Sequence, residues 1–125
     1  MTQSKDARRV VISGTGLYTP QQTISNAELV KSFNAYVDNF NAENRAAIEA
    51  GTLEALSHSS EEFIVKASGI ESRYVIDKTG ILDPARLCPR IPERADEEPS
   101  VQCEIAVAAA REALAQARKT VDEVD

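Results

Sequence analysis

The side chains here that could do covalent or acid–base chemistry are few: Cys88, Cys103 and the single histidine, His58. A nucleophilic cysteine needs a thiolate stabilised by a helix N-terminus or a neighbouring cation. Cys103 falls in the expected first turn of a C-terminal helix. Glu97, Glu98 and Glu104 surround it in sequence and oppose the thiolate, and it lies on that helix's apolar stripe. It reads as a buried small residue, not a nucleophile. Cys88 belongs to a proline-rich stretch and reads as a solvent-facing thiol. With no secretory context, both read as free thiols. His58 stands between Ser57 and Ser59. Neighbours in sequence seldom form a proton relay, and no metal-ligand spacing surrounds it, so a solvated loop histidine and no metal site are expected. "GTGLYTP" suggests an anion cradle, but the dinucleotide pattern needs a third glycine opening into a helix. Thr19 and Pro20 stand there instead. The glycines read as a sharp turn.

The elements that must position these groups follow from pattern. Residues 9 to 18, "RVVISGTGLY", place β-branched residues before the glycines, as in a buried strand ending in a turn. Ser25 with Glu28 forms a capping box, and Leu29, Phe33, Val37 and Phe40 continue it at helical spacing. Residues 41 to 57 favour one or two short surface helices broken at Gly51. Ser59 with Glu62 repeats the capping signature ahead of Phe63, Ile64 and Ala67, and Gly69 suits the left-handed stop. Arg73 to Ile76 returns to strand-forming residues. Residues 77 to 99 hold four of the chain's five prolines and read as a long loop, a candidate lid. Ser100 then opens a helix to about residue 118. Cys103, Val107, Ala110, Leu114, Ala117 and Val121 make its apolar, alanine-rich face, which is expected to be buried.

At 125 residues and 42% hydrophobic, the chain suits one compact domain or a piece of a larger one. A net charge of −6 argues against nucleic acid as a partner, since phosphate backbones demand clustered cations. Arg86, Arg90 and Arg94 come nearest, but Pro84, Pro89 and Pro92 break any shared helical face. The charged N-terminus runs into an apolar stretch too short and too soon broken by glycine for a signal peptide, and no apolar run spans a membrane, so a cytoplasmic location without membrane partners is expected.

Three stretches in order, "VVISGTGLYTPQQTISNAEL", "SSEEFIVKASGIESRYV" and "SVQCEIAVAAAREALAQA", resemble the N-terminal region of beta-ketoacyl-acyl-carrier-protein synthase III, in the thiolase-like superfamily. The resemblance implies an α/β fold. The chain would be an incomplete N-terminal domain over residues 1–125, part of the first half of a layered α-β-α-β-α architecture, with insertions at about 32–57 and 77–99. It implies an acyltransferase of fatty-acid biosynthesis in which a cysteine takes an acyl group from coenzyme A. That group then condenses with malonyl-acyl-carrier protein as carbon dioxide leaves. The family's cysteine, histidine and asparagine match no position here, so no catalytic residue is expected within this chain, which alone would be inactive. Implied partners are acyl-CoA, acyl-carrier protein and a second subunit in a homodimer. Coenzyme A thioester enters as a substrate, with no permanently bound cofactor.

The family holds the adenine of coenzyme A between a tryptophan and an arginine four residues later. In this sequence Phe63 matches the tryptophan and Ala67 the arginine, so the aromatic face is kept and the cation is absent. The resemblance therefore assigns coenzyme binding to Phe63, to Lys66 beside the vacated position, and to Ser59, which matches an entrance threonine. Apolar Ile81, Leu82, Leu87 and Ile91 in an otherwise charged loop favour an acyl group longer than acetyl. Two alternatives stand beside this reading. One is a non-decarboxylating acyl-CoA Claisen enzyme or a secondary-metabolite synthase of the same superfamily. The other is a non-catalytic acidic binding or scaffold module.

Overall fold

The computed structural model describes residues 10–124, and the charged stretch at residues 1–9 lies outside them. The chain divides into two compact units, Thr19–Glu93 and a second made of Met1–Tyr18 with Arg94–Asp125. Helices and short strands are mixed along it, compatible with the α/β class expected.

In the unit Thr19–Glu93, β1 (Gln22–Ser25) pairs antiparallel with β2 (Ser72–Val75), in register from Gln22 opposite Val75 to Ser25 opposite Ser72. Helix α1 (Asn26–Glu43) begins at the expected capping box: the Ser25 hydroxyl accepts from Glu28 N, and the Glu28 carboxylate accepts from Ser25 N. Short α2 (Arg45–Glu49) follows, and Gly51 takes the left-handed conformation at φ 72°. Helix α3 (Glu61–Ser68) ends at Gly69, φ 70°, the left-handed stop the sequence predicts. Its cap is Ser60, whose hydroxyl accepts from Phe63 N, and not Ser59. Ser59 is unavailable because its backbone is tied to α1, as described below.

The core of this unit is small, with Ile24 at 1% and Val37 at 0% exposure. Buried Asn26 joins the elements. Its Nδ2 donates to Ile70 O at 2.7 Å, its Oδ1 accepts from Arg73 Nη1 at 3.0 Å, and its backbone N–H donates to Glu71 O at 3.2 Å. One side chain, engaged at both ends of its amide, thus fixes the turn after Gly69 and the arginine of β2.

The stretch 77–93 is braced, not a free lid. Asp77 accepts from Thr79 Oγ1 at 2.6 Å, from the N–H groups of Thr79 and Gly80 at 3.1 and 3.2 Å, and from Arg90 N at 2.5 Å. The Thr79 hydroxyl and the Arg90 N–H lead in holding its carboxyl down at about 2. Arg90 also pairs with Asp83, and a Cβ on Gly80 would strike the Cys88 carbonyl.

In the other unit, α4 (Val101–Ala117) starts at the Ser100 cap and stops at left-handed Arg118, φ 54°, matching the expected bounds. Residues 10–18 differ from expectation. They form no strand, and Val10 and Ile12 are 95% and 88% exposed. A strand needs a neighbouring strand to pair with its amide groups, and none of the described residues supplies one here. Instead the stretch lies on α4. A Cβ on Gly14 would meet the Ala113 carbonyl and Ala117, and one on Gly16 would meet the Ala109 carbonyl and Ala113. The glycines permit backbone to touch backbone across the alanine face, a reason other than the sharp turn read from the sequence.

Thr15 N donates to Gln116 Oε1 at 2.6 Å and Leu17 N to Glu112 Oε2 at 2.8 Å, so these N–H groups are engaged and form no anion cradle. No residue of α4 is buried, contrary to the burial expected of its apolar face. Cys103 is exposed for the same reason, because no described element covers its side of the helix. Cys88 is exposed, as predicted.

Candidate functional site

The residues singled out for ligand binding lie in Thr19–Glu93, around the segment between α2 and α3. That segment has no regular structure of its own. α1 holds it in place. Asn34 uses both ends of its amide: Nδ2 donates to Ser59 O at 3.1 Å, and Oδ1 accepts from Ser59 N at 2.9 Å. Asn41 does the same for Leu56, at 2.9 Å in each direction. Each amide imitates the paired bonds of a neighbouring strand. Asp38 stands between them and meets His58 Nε2 at 2.7 Å. Positions 34, 38 and 41 fall on one helical face.

The held segment lines an open pocket of about 590 Å³ with Phe33, Ser57, His58, Ser59, Ser60 and Phe63. Phe63 is 65% exposed, so its face is open to a ligand. Ser59 and Phe63 are therefore brought together, whereas Lys66, exposed in the last turn of α3, does not line this pocket. A second pocket of about 310 Å³ shares Phe33 and Ser59, and its other walls are Leu29, Val30, Ile64, Ile81 and Leu87. One pocket is rimmed by hydroxyls and an imidazole, and its neighbour is almost wholly aliphatic. Leu87 holds a left-handed backbone, φ 53°, costly for a side chain with a Cβ. Its N–H donates to Asp83 O at 2.9 Å, part of the brace that keeps the leucine in the pocket wall.

The electrostatics around the polar pocket disfavour an anionic occupant. Glu61 and Glu62 follow Ser60 in the first turn of α3. The N–H of Glu62 itself, with the Ser60 hydroxyl, lowers the Glu62 carboxyl below the usual range, so it is ionised at neutral pH. No group of three or more acidic, histidine or cysteine side chains able to hold a metal occurs among the described residues.

Sequence reasoning named Ser59 and Phe63, which line one pocket, and did not name Asn34, Asp38 and Asn41, which hold its wall. Their spacing, polar residues at four- and three-residue steps beside an apolar stripe, was the available signal.

Over 96 residues, 77% of this chain, the sequence is 52% identical to the beta-ketodecanoyl-acyl-carrier-protein synthase of Pseudomonas aeruginosa. The resemblance read from the sequence, to a beta-ketoacyl-acyl-carrier-protein synthase, agrees with this relative. The chain spans 27% of that relative's length. No protein-family model matches it. Identity at this level across most of the chain supports the synthase reading and lends nothing to a scaffold module or a non-decarboxylating enzyme. No helix among the described residues is long and apolar enough to cross a membrane.

Proposed function

We propose that this chain is the N-terminal part of a condensing enzyme of fatty-acid biosynthesis, and that it supplies the wall against which the coenzyme end of an acyl-CoA primer rests. The fold it enters is the thiolase-like layered one, with residues 32–57 and 77–99 as insertions. The acyl group passes to a cysteine outside these residues and condenses with malonyl-acyl-carrier protein, with loss of carbon dioxide. The observation that carries the reading is the open pocket where Phe63 and Ser59, assigned separately from sequence, meet. Phe63 stacks the base, and Ser59 lines the entrance. Lys66 serves the phosphates from outside the pocket. The aliphatic pocket beside it, walled by Ile81 and Leu87, borders the path of the acyl-pantetheine arm.

The primer is a medium-chain acyl group. A decarboxylative condensation lengthens its primer by an acetyl unit, so the relative's beta-ketodecanoyl product corresponds to an octanoyl primer. The apolar side chains in the loop suit the same length. Condensation assayed on the complete protein that carries this sequence, with acetyl-, hexanoyl-, octanoyl- and decanoyl-CoA, is expected to give the highest kcat/KM with octanoyl-CoA. A preference for acetyl-CoA would overturn the assignment.

A further inference from the structure

Phe63 gives a ligand a flat face, but a hydrocarbon ring reads no hydrogen-bonding edge, and Ala67 brings no polar group. The pocket has another reader. His58 Nε2 lies 2.7 Å from Asp38 Oδ1. A carboxylate has only lone pairs to offer, so Nε2 carries the proton, and in the neutral ring Nδ1 is left as an acceptor. Leu56 and Ser59, on either side of His58, have their backbones fixed by Asn41 and Asn34. One face of α1 therefore sets both the place and the tautomer of the imidazole. The histidine stands in the same pocket wall as Phe33 and Phe63.

We propose that His58 reads the base of the coenzyme A nucleotide, with Nδ1 accepting a hydrogen bond from the exocyclic amine of the adenine stacked on Phe63. The inference rests on the reading of Phe63 as the coenzyme-side wall. The charges around the pocket agree with a base and disfavour phosphate there: Asp38, Glu61 and Glu62 are acidic, and Lys66 lies outside the lining. Asp38, Asn34 and Asn41 act through His58 and its segment and are positioning residues. His58 thus takes over, through Nδ1, the polar contact left open at Ala67.

The test compares octanoyl-CoA with its 1,N6-etheno analogue, whose amine is closed into a ring and cannot donate, in steady-state condensation by the complete protein. The expected result for the unaltered protein is a KM about tenfold higher for the analogue with kcat within about twofold. His58→Ala is expected to raise the KM for octanoyl-CoA by a similar factor and to abolish the difference between the two compounds. Asp38→Ala should weaken the discrimination, and Asp38→Asn, whose carbonyl still accepts from Nε2, should keep it. Equal KM values in the unaltered protein would overturn the proposal without any variant. So would unchanged discrimination in His58→Ala. If Phe63→Ala raises KM in that case, the coenzyme reading stands and only His58 is excluded. If Phe63→Ala leaves KM unchanged, the coenzyme reading itself fails and this inference with it.

Discussion

Helices α1 and α4 are nearly equal in length, 18 and 17 residues, and both begin at a serine cap, yet they find partners by different means. α1 presents one apolar position that is wholly buried, Val37, and a polar face of Asn34, Asp38 and Asn41 that holds a segment with no structure of its own. α4 has no buried side chain, and residues 10–18 approach it closely where glycine meets alanine, with Gln116 and Glu112 accepting from Thr15 N and Leu17 N. A hydrogen-bonding face can fix a particular loop because each amide needs its matching pair. An alanine face fixes distance of approach, and its remaining apolar area asks for a cover. The first arrangement suits a binding pocket. The second suits a structural layer.

The largest expected effect strikes the second arrangement. Gly16→Val places side-chain atoms where the Ala109 carbonyl stands, and should cost about 3 kcal/mol. Native-state hydrogen exchange should show lost protection at Thr15 and Leu17 N–H while that of β1 and β2 is kept. Next is Asn26→Ala, which strands the Ile70 carbonyl and the Arg73 guanidinium and should cost about 2 kcal/mol in denaturant titration. Asn34→Ala is milder, about 1 kcal/mol, and is expected to free Ser59 N–H for exchange while leaving the helical circular dichroism of α1 unchanged.

The smallest effect is acidic. The Lys78 ammonium, then the N–H and hydroxyl of Ser25, hold Glu28 at about 2 against an ordinary 4.5, and Asp77 is held at about 2 against 3.8. Both carboxyls bind protons more weakly when folded. Their contribution is therefore complete above the ordinary values and fades as pH falls toward about 2. The melting temperature should decline across that window, and Glu28→Gln should flatten the decline.

What the sequence made legible was local. The Ser25 box, the Gly69 stop and the bounds of α4 each depend on residues within one or two turns, and each stands where the pattern put it. The cap of α3 shifted from Ser59 to Ser60 because Asn34, distant in sequence, engages the Ser59 backbone. The same distance hid the pairing of His58 with Asp38: the histidine is exposed in a loop, as read from the sequence, and is also held there. Long-range hydrogen bonding also explains the loop after β2. Proline content signalled irregular chain, but only the approach of Arg90 to Asp77 reveals that it is braced. Phe63 and Ser59 were legible through resemblance, while their meeting in one pocket depended on how α1 places the segment before α3.

The most direct test of the central claim, that this chain forms the coenzyme-side wall of a condensing enzyme, is the KM for octanoyl-CoA in Phe63→Ala and Phe63→Trp variants of the complete protein. The account predicts a KM about tenfold higher for the alanine variant with kcat nearly unchanged, and a KM restored or lowered by tryptophan. An alanine variant with the KM of the unaltered protein would contradict it.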